Sequence, residues 1–158
     1  HGFNAAVDLR LRRWVFSYSH GQGLEYSRVP GLRTAAEERA GLRVHAPFST
    51  GLGVGFTLVD ELYVMADFKV HRFELSADAG RAHYTTVTVG AELGYRFFLW
   101  KGLYVAPVVR FWPNVADTAP AGGVRVPTRT GTDLLHRPVS QGVHGVFANV
   151  LLGWAFDL

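Results

Sequence analysis

The chain has 158 residues, the length of one domain with room for a core. It is 48% hydrophobic, 13% aromatic and only 18% charged, with 18 glycines, a balance that favours strands and turns over a helical bundle. The absence of cysteine excludes a disulfide scaffold, a thiolate zinc site and a cysteine nucleophile, and a net charge of +3 is too modest to name a partner.

No apolar run approaches the roughly 18 residues of a membrane helix; the longest, Val146 to Phe156, is interrupted by Asn149 and Gly153. The opening His1-Gly2-Phe3 does not start a basic stretch followed by an apolar one, so an export signal is expected to be absent from this sequence. The whole chain, 1–158, is read as a single domain.

Along the chain the governing pattern is a two-residue alternation, the period at which side chains fall on opposite faces of a strand. It starts with Val7, Leu9 and Leu11 against Asp8, Arg10 and Arg12. A phase change at Arg13, before Trp14, Phe16 and Tyr18, predicts a bulge or a turn. The polar stretch Ser19 to Gly41 follows, in which Thr34-Ala35-Ala36-Glu37 has the form of a helix-capping box and Gly41 of a stop.

From Leu42 to Leu58 the even positions are apolar, apart from Thr50, and the odd ones carry Arg43, His45, Ser49 and three glycines. After Val59-Asp60-Glu61 the apolar set is Leu62, Val64, Ala66, Phe68 and Val70, against Tyr63, Met65, Asp67, Lys69 and His71, which predicts a hairpin. Thr86 to Phe97 sets Val87, Val89, Ala91, Leu93, Tyr95 and Phe97 against residues that include Glu92 and Arg96. The turn Leu99-Trp100-Lys101-Gly102 leads to a strand with Leu103, Val105, Pro107, Val109 and Phe111 opposite Tyr104, Ala106, Val108, Arg110 and Trp112; Pro107 predicts a broken ladder bond. A Pro/Gly/Thr-rich stretch from Asn114 to Gly142 reads as loop. The last strand alternates Val146, Ala148, Val150, Leu152, Trp154, Phe156 and Leu158 with Phe147, Asn149, Leu151, Gly153, Ala155 and Asp157.

An apolar face free of charge lies inside a soluble sandwich but outside a membrane barrel. Three features favour the barrel: alternating long and short connections, strands longer than the roughly 9 to 11 residues that cross a bilayer at a tilt, and aromatics near strand ends. Trp14, Phe97, Trp100, Trp112, Trp154 and Phe156 are the expected aromatic belt. The predicted fold is all-β, an up-and-down antiparallel transmembrane barrel of eight strands, six of them legible, with short periplasmic turns and longer outer loops. Leu24 to Val29 and Gly123 to Thr130 are candidates for the missing strands.

The segment Leu151-Leu152-Gly153-Trp154-Ala155-Phe156-Asp157-Leu158 resembles the C-terminal signal of outer-membrane barrels, matching at Gly153, Phe156 and Leu158 and departing at Leu151 and in ending on Leu158 rather than Phe. Gly51-Leu52-Gly53-Val54-Gly55-Phe56 and Tyr95 to Val105 are also similar to small bacterial outer-membrane barrels of the OmpA-like and OmpX-like class. The resemblance implies a bacterial outer-membrane location, contact with outer-membrane lipid, and recognition of the last strand by the barrel assembly machinery.

Inward charges at Arg43, Asp67, Lys69, Glu92, Arg96 and Arg110 are expected to pair across a lumen just wide enough to be filled by side chains. Arg28, Arg33, Arg39, Arg81, Arg125, Arg129 and Arg137 fall in loops, where guanidinium groups suit lipopolysaccharide phosphates. The expected role is structural or surface-interacting, with no cofactor and no metal site. Nucleic-acid binding is not expected, because basic and aromatic residues are segregated.

Two alternatives remain. A lipid- or lipopolysaccharide-modifying hydrolase would need a Ser/His/acid cluster; His45 and Ser49 share a face yet lie about 13 Å apart at strand rise, leaving Ser17, Ser19 and His20, or His71 with Glu92. A soluble lipocalin-like barrel would place Val54, Phe56, Val89 and Leu93 around an internal cavity.

Overall fold

The structure, a computed structural model, describes residues 2–29, 31–140 and 145–157. Gly142 and Leu158, named above as a loop boundary and as part of the C-terminal signal, lie outside the described residues. In chain order the elements are β1 (Phe3–Leu11), β2 (Trp14–Glu25), α1 (Ala35–Arg39), β3 (Arg43–Val59), β4 (Leu62–Ser76), β5 (Arg81–Tyr95), β6 (Phe97–Trp100), β7 (Leu103–Phe111), β8 (Asn114–Asp117), β9 (Val124–Val126), β10 (Leu134–His136) and β11 (Val146–Asp157).

Alternating strands joined by tight turns pair with their sequence neighbours, and here the pairing closes on itself as a barrel. β6 continues β5, and β8 continues β7, so the wall has seven strands rather than the expected eight. The phase change at Arg13 is a turn: Leu11 pairs with Trp14, and Arg12 takes the left-handed conformation that reverses the chain. Of the two segments expected to hold further strands, Leu24 and Glu25 finish β2, while Val124–Val126 pairs with Leu134–His136 outside the ring. With an odd number of up-and-down strands the first and last must run the same way, and β1 meets β11 in parallel.

Three tight turns, at Arg12-Arg13, Asp60-Glu61 and Lys101-Gly102, lie at one end of the barrel. The connection from β4 to β5 and the two long ones lie at the other, here called the loop end. Pro107 has no N–H to donate, and the rungs that would join it to Tyr95 and Ala106 to Arg96 are missing between β5 and β6.

Inward glycines make room for long side chains from the next strand. A Cβ at Gly51 would lie 2.3 Å from Lys69 Cγ, and one at Gly94 would lie 2.6 Å from the Tyr63 hydroxyl. Small and large residues thus interdigitate within the lumen.

On β4 the alternation never slips, yet its polarity reverses. From Val64 to His71 the outward residues are apolar (Val64, Ala66, Phe68) and the inward ones, after Met65, are polar (Asp67, Lys69, His71); beyond them Arg72 and Glu74 face out while Phe73 and Leu75, 2% and 0% exposed, face in. β5 does the same, from Tyr84 inside to Val89 and Leu93 outside. The loop end is therefore a small head with its own core of Leu42, Val44, Phe73, Leu75, Tyr84, Val124 and Val126.

β3 enters this head through a bulge. Its register to β4 shifts between His45 and Phe48, around Pro47, so Val44 and Ala46 point inward while Phe48, Leu52 and Val54 point outward. The even positions of Leu42 to Leu58 do not share one face as the alternation implies, because one extra residue moves every side chain beyond it to the opposite side.

Candidate functional site

Side chains from four strands, and Arg96 from the link between β5 and β6, meet in the lumen near the turn end. Asp8 on β1 accepts hydrogen bonds from Arg96 Nη2 at 3.1 Å and from the Tyr104 hydroxyl at 2.7 Å. The Arg96 guanidinium also lies 3.8 Å from the Tyr63 ring centroid, where the aromatic face shares its charge. One layer further in, Glu92 accepts from the Tyr63 hydroxyl through one carboxylate oxygen and from Arg110 Nε through the other. Arg96 and Glu92 are each 1% exposed, so these pairs are shielded from water.

Asp67 and Lys69 come next, opposite Gly53 and Gly51. Lys69 Nζ sits 4.2 Å from the Trp112 ring centroid and Arg110 Cζ sits 4.5 Å from it, so one indole carries two cations. The next layer holds Ser49, His71 and Thr86, all buried. Among the described residues three carboxylates, Asp8, Asp67 and Glu92, and three cations, Lys69, Arg96 and Arg110, are buried in the lumen.

Of the six residues predicted to pair, Glu92, Arg96 and Arg110 form ion pairs, and Asp67 and Lys69 are buried beside them without one among the described residues. Arg43 lies outside the lumen: it precedes the Pro47 bulge and is exposed at the loop end. Asp8 was absent from the predicted set, although its inward phase on β1 is visible in the alternation with Val7 and Leu9.

Trp112, expected in the outer belt, is 4% exposed inside the lumen, in phase with Arg110. The other members of that belt lie on the outer wall, with Trp100 and Trp154 edge to face at a centroid distance of 6.3 Å. Of the loop arginines, Arg28, Arg39, Arg81, Arg125, Arg129 and Arg137 are exposed; Arg33 is half-buried and donates to the Leu42 carbonyl at 2.8 Å.

Of the residues weighed for hydrolysis, His45, Ser49 and His71 do not assemble a triad. The Pro47 bulge puts His45 and Ser49 on opposite faces. Ser49 lies directly across from His71, but neither ring nitrogen of His71 has a hydrogen-bond partner among the described residues, so no acid orients it.

A hydrogen-bonded chain that the sequence did not signal lies in the head. His136 on β10 contacts Glu37 Oε1 at 2.8 Å through Nδ1 and the Tyr84 hydroxyl at 3.1 Å through Nε2. The other oxygen of Glu37 accepts from the Thr34 backbone N–H at 2.6 Å, completing the capping box of α1. Burial pushes the Tyr84 hydroxyl to a higher pKa, and the Glu37 carboxylate adds to the effect. All three residues are buried, so the chain fastens three segments together rather than meeting a substrate.

The soluble-barrel alternative is opposed by the faces themselves: Val54, Val89 and Leu93 are 46%, 47% and 49% exposed on the outside. Comparison with protein-family models, characterised proteins and solved structures returned no match.

Proposed function

We propose that this chain is a bacterial outer-membrane barrel with a structural or surface-interacting role, its turn end periplasmic, its head outside the cell and its lumen blocked to free diffusion. One observation carries the reading: both faces of β4 and β5 exchange polarity at the same level, between Val70 and Phe73. A wall that is apolar outside and charged inside suits lipid, and one that is polar outside with an apolar core suits water. A continuous strand that changes from the first to the second marks a lipid–water boundary.

The outer wall supports the same reading. Leu52, Val150 and Leu152 are 62%, 68% and 67% exposed, and exposed apolar residues occur on every strand of the ring. Soluble monomers rarely expose an apolar patch beyond about 300–600 Å². Aromatics sit at both limits of the belt, with Trp14 against Phe56 at the turn end and Phe3, His20 and Phe48 in succession near the head. The exposed loop arginines then face the lipopolysaccharide layer, and β11 is the strand offered to the assembly machinery.

Membrane partitioning tests this reading. The chain is expected to fractionate with outer membranes, to need detergent for extraction and to migrate faster on gels when unheated. Lipids brominated near the chain centre should quench Trp14, Trp100 and Trp154 more than Trp112. A soluble monomer without detergent would overturn it.

A further inference from the structure

The upper lumen holds a cavity of about 460 Å³, within the range of small-molecule sites. Its lining draws on Lys69 and His71 of β4 and Arg110 of β7, and on Asn4 of β1 and Asn149 of β11. Ser49, Lys69, His71, Arg110 and Trp112 form its deep wall. All five are 7% exposed or less.

Polar groups converge on this space. Neither nitrogen of His71 is hydrogen-bonded among the described residues, and the Trp112 indole N–H has Asp67 as its nearby acceptor. Lys69 makes no ion pair among the described residues, and its ammonium rests on an aromatic ring. The three carboxylates line a void of about 20 Å³ nearer the turn end, which Lys69 and Arg110 line as well, so the two cations border both spaces and the acids border only the void. An apolar part of the cavity wall is formed by Leu24, Val29 and Phe147, the last edge to face with Trp112 at a centroid distance of 5.4 Å. Buried donors left without acceptors are costly, and water would satisfy them but gain nothing from the apolar wall.

We infer that this cavity binds a small amphiphilic anion: Lys69 and His71 hold a carboxylate or phosphate headgroup, and Leu24, Val29 and Phe147 receive its apolar body. The inference rests on the membrane-barrel reading for the medium of its test, which is a zwitterionic lipid nanodisc. Unheated gel mobility of the same sample judges the barrel separately from the ligand.

Octanoate and octyl phosphate are titrated while the Trp112 indole N–H resonance is followed, assigned by its loss in Trp112→Phe. A saturable shift is expected, about tenfold weaker for Lys69→Gln and for octanol, which keeps the body and lacks the charge. Leu24→Asp, at the apolar wall, should weaken binding comparably and covers the case in which Lys69→Gln fails to fold. Saturation by one anion and not the other identifies the headgroup. A shift that rises linearly and equally for octanoate and octanol, an unchanged affinity in both variants, or no shift would overturn the inference.

Discussion

Removing Glu92 tests whether the lumen is closed to water. Its two oxygens serve the Tyr63 hydroxyl and Arg110 Nε, and its side chain has no accessible surface. In Glu92→Leu the guanidinium stays buried with no carboxylate in contact, and breaking a buried pair from one side costs about 3–5 kcal/mol. The orphaned tyrosine hydroxyl adds about 1–3 kcal/mol. Arg110→Leu costs about 3–5 kcal/mol for the converse reason, although Glu92 keeps Tyr63 as a donor. In the double variant no unpaired charge remains, so its cost should fall to the tyrosine contribution, and the coupling energy should reach several kcal/mol. Urea unfolding in lipid vesicles, followed by tryptophan fluorescence and gel mobility, supplies the four free energies. Additivity of the two single variants within about 0.5 kcal/mol would refute the reasoning, because it would mean that water already screens the pair.

Three further substitutions probe other levels of the molecule. Phe68→Arg, on the outer belt, is expected to destabilise the vesicle-embedded barrel by about 2–4 kcal/mol, while Arg72→Leu, above the polarity change, stays near zero; equal effects in the same unfolding assay would count against a boundary between them. His136→Phe removes the link between Glu37 and Tyr84 and should ease local opening of the head by about 1–3 kcal/mol, read as faster trypsin cleavage after Arg39 with the barrel's gel mobility unchanged. Gly94→Ala places a methyl 2.6 Å from the Tyr63 hydroxyl, which Glu92 holds, and should cost about 1–3 kcal/mol; a measured loss below about 0.5 kcal/mol would mean that Tyr63 moves freely.

Strand identity and facing were legible wherever the two-residue period ran unbroken, which is why Asp67, Lys69, Glu92, Arg96 and Arg110 were found together. What the period could not deliver has separate physical causes. The bulge at Pro47 moves Arg43 and His45 without any local break in the apolar pattern. Trp112 shares its phase with Arg110, and its chemistry alone pointed to the belt; parity was the better guide. The exchange of polarity along β4 is written in the order Phe68, Val70, Phe73, Leu75, a change of apolar parity, and reads as the end of a strand unless both faces are followed. Links such as Glu37 to His136 and β1 to β11 join distant parts of the chain and leave no local trace.

The parallel closure also decides where the molecule gives way. Among the described residues its slanted rungs run from Val7–Trp154 to Arg10–Asp157, whereas β4 and β5 are laced from Leu62–Tyr95 to Ser76–Arg81. A hoop parts at its shortest lap, so heat or pulling force should unfasten this one first and leave a curved sheet with two raw edges. Each raw edge is a template for another strand. The lap that completes the hoop is then also its latch, the place where a strand from a neighbouring chain could enter.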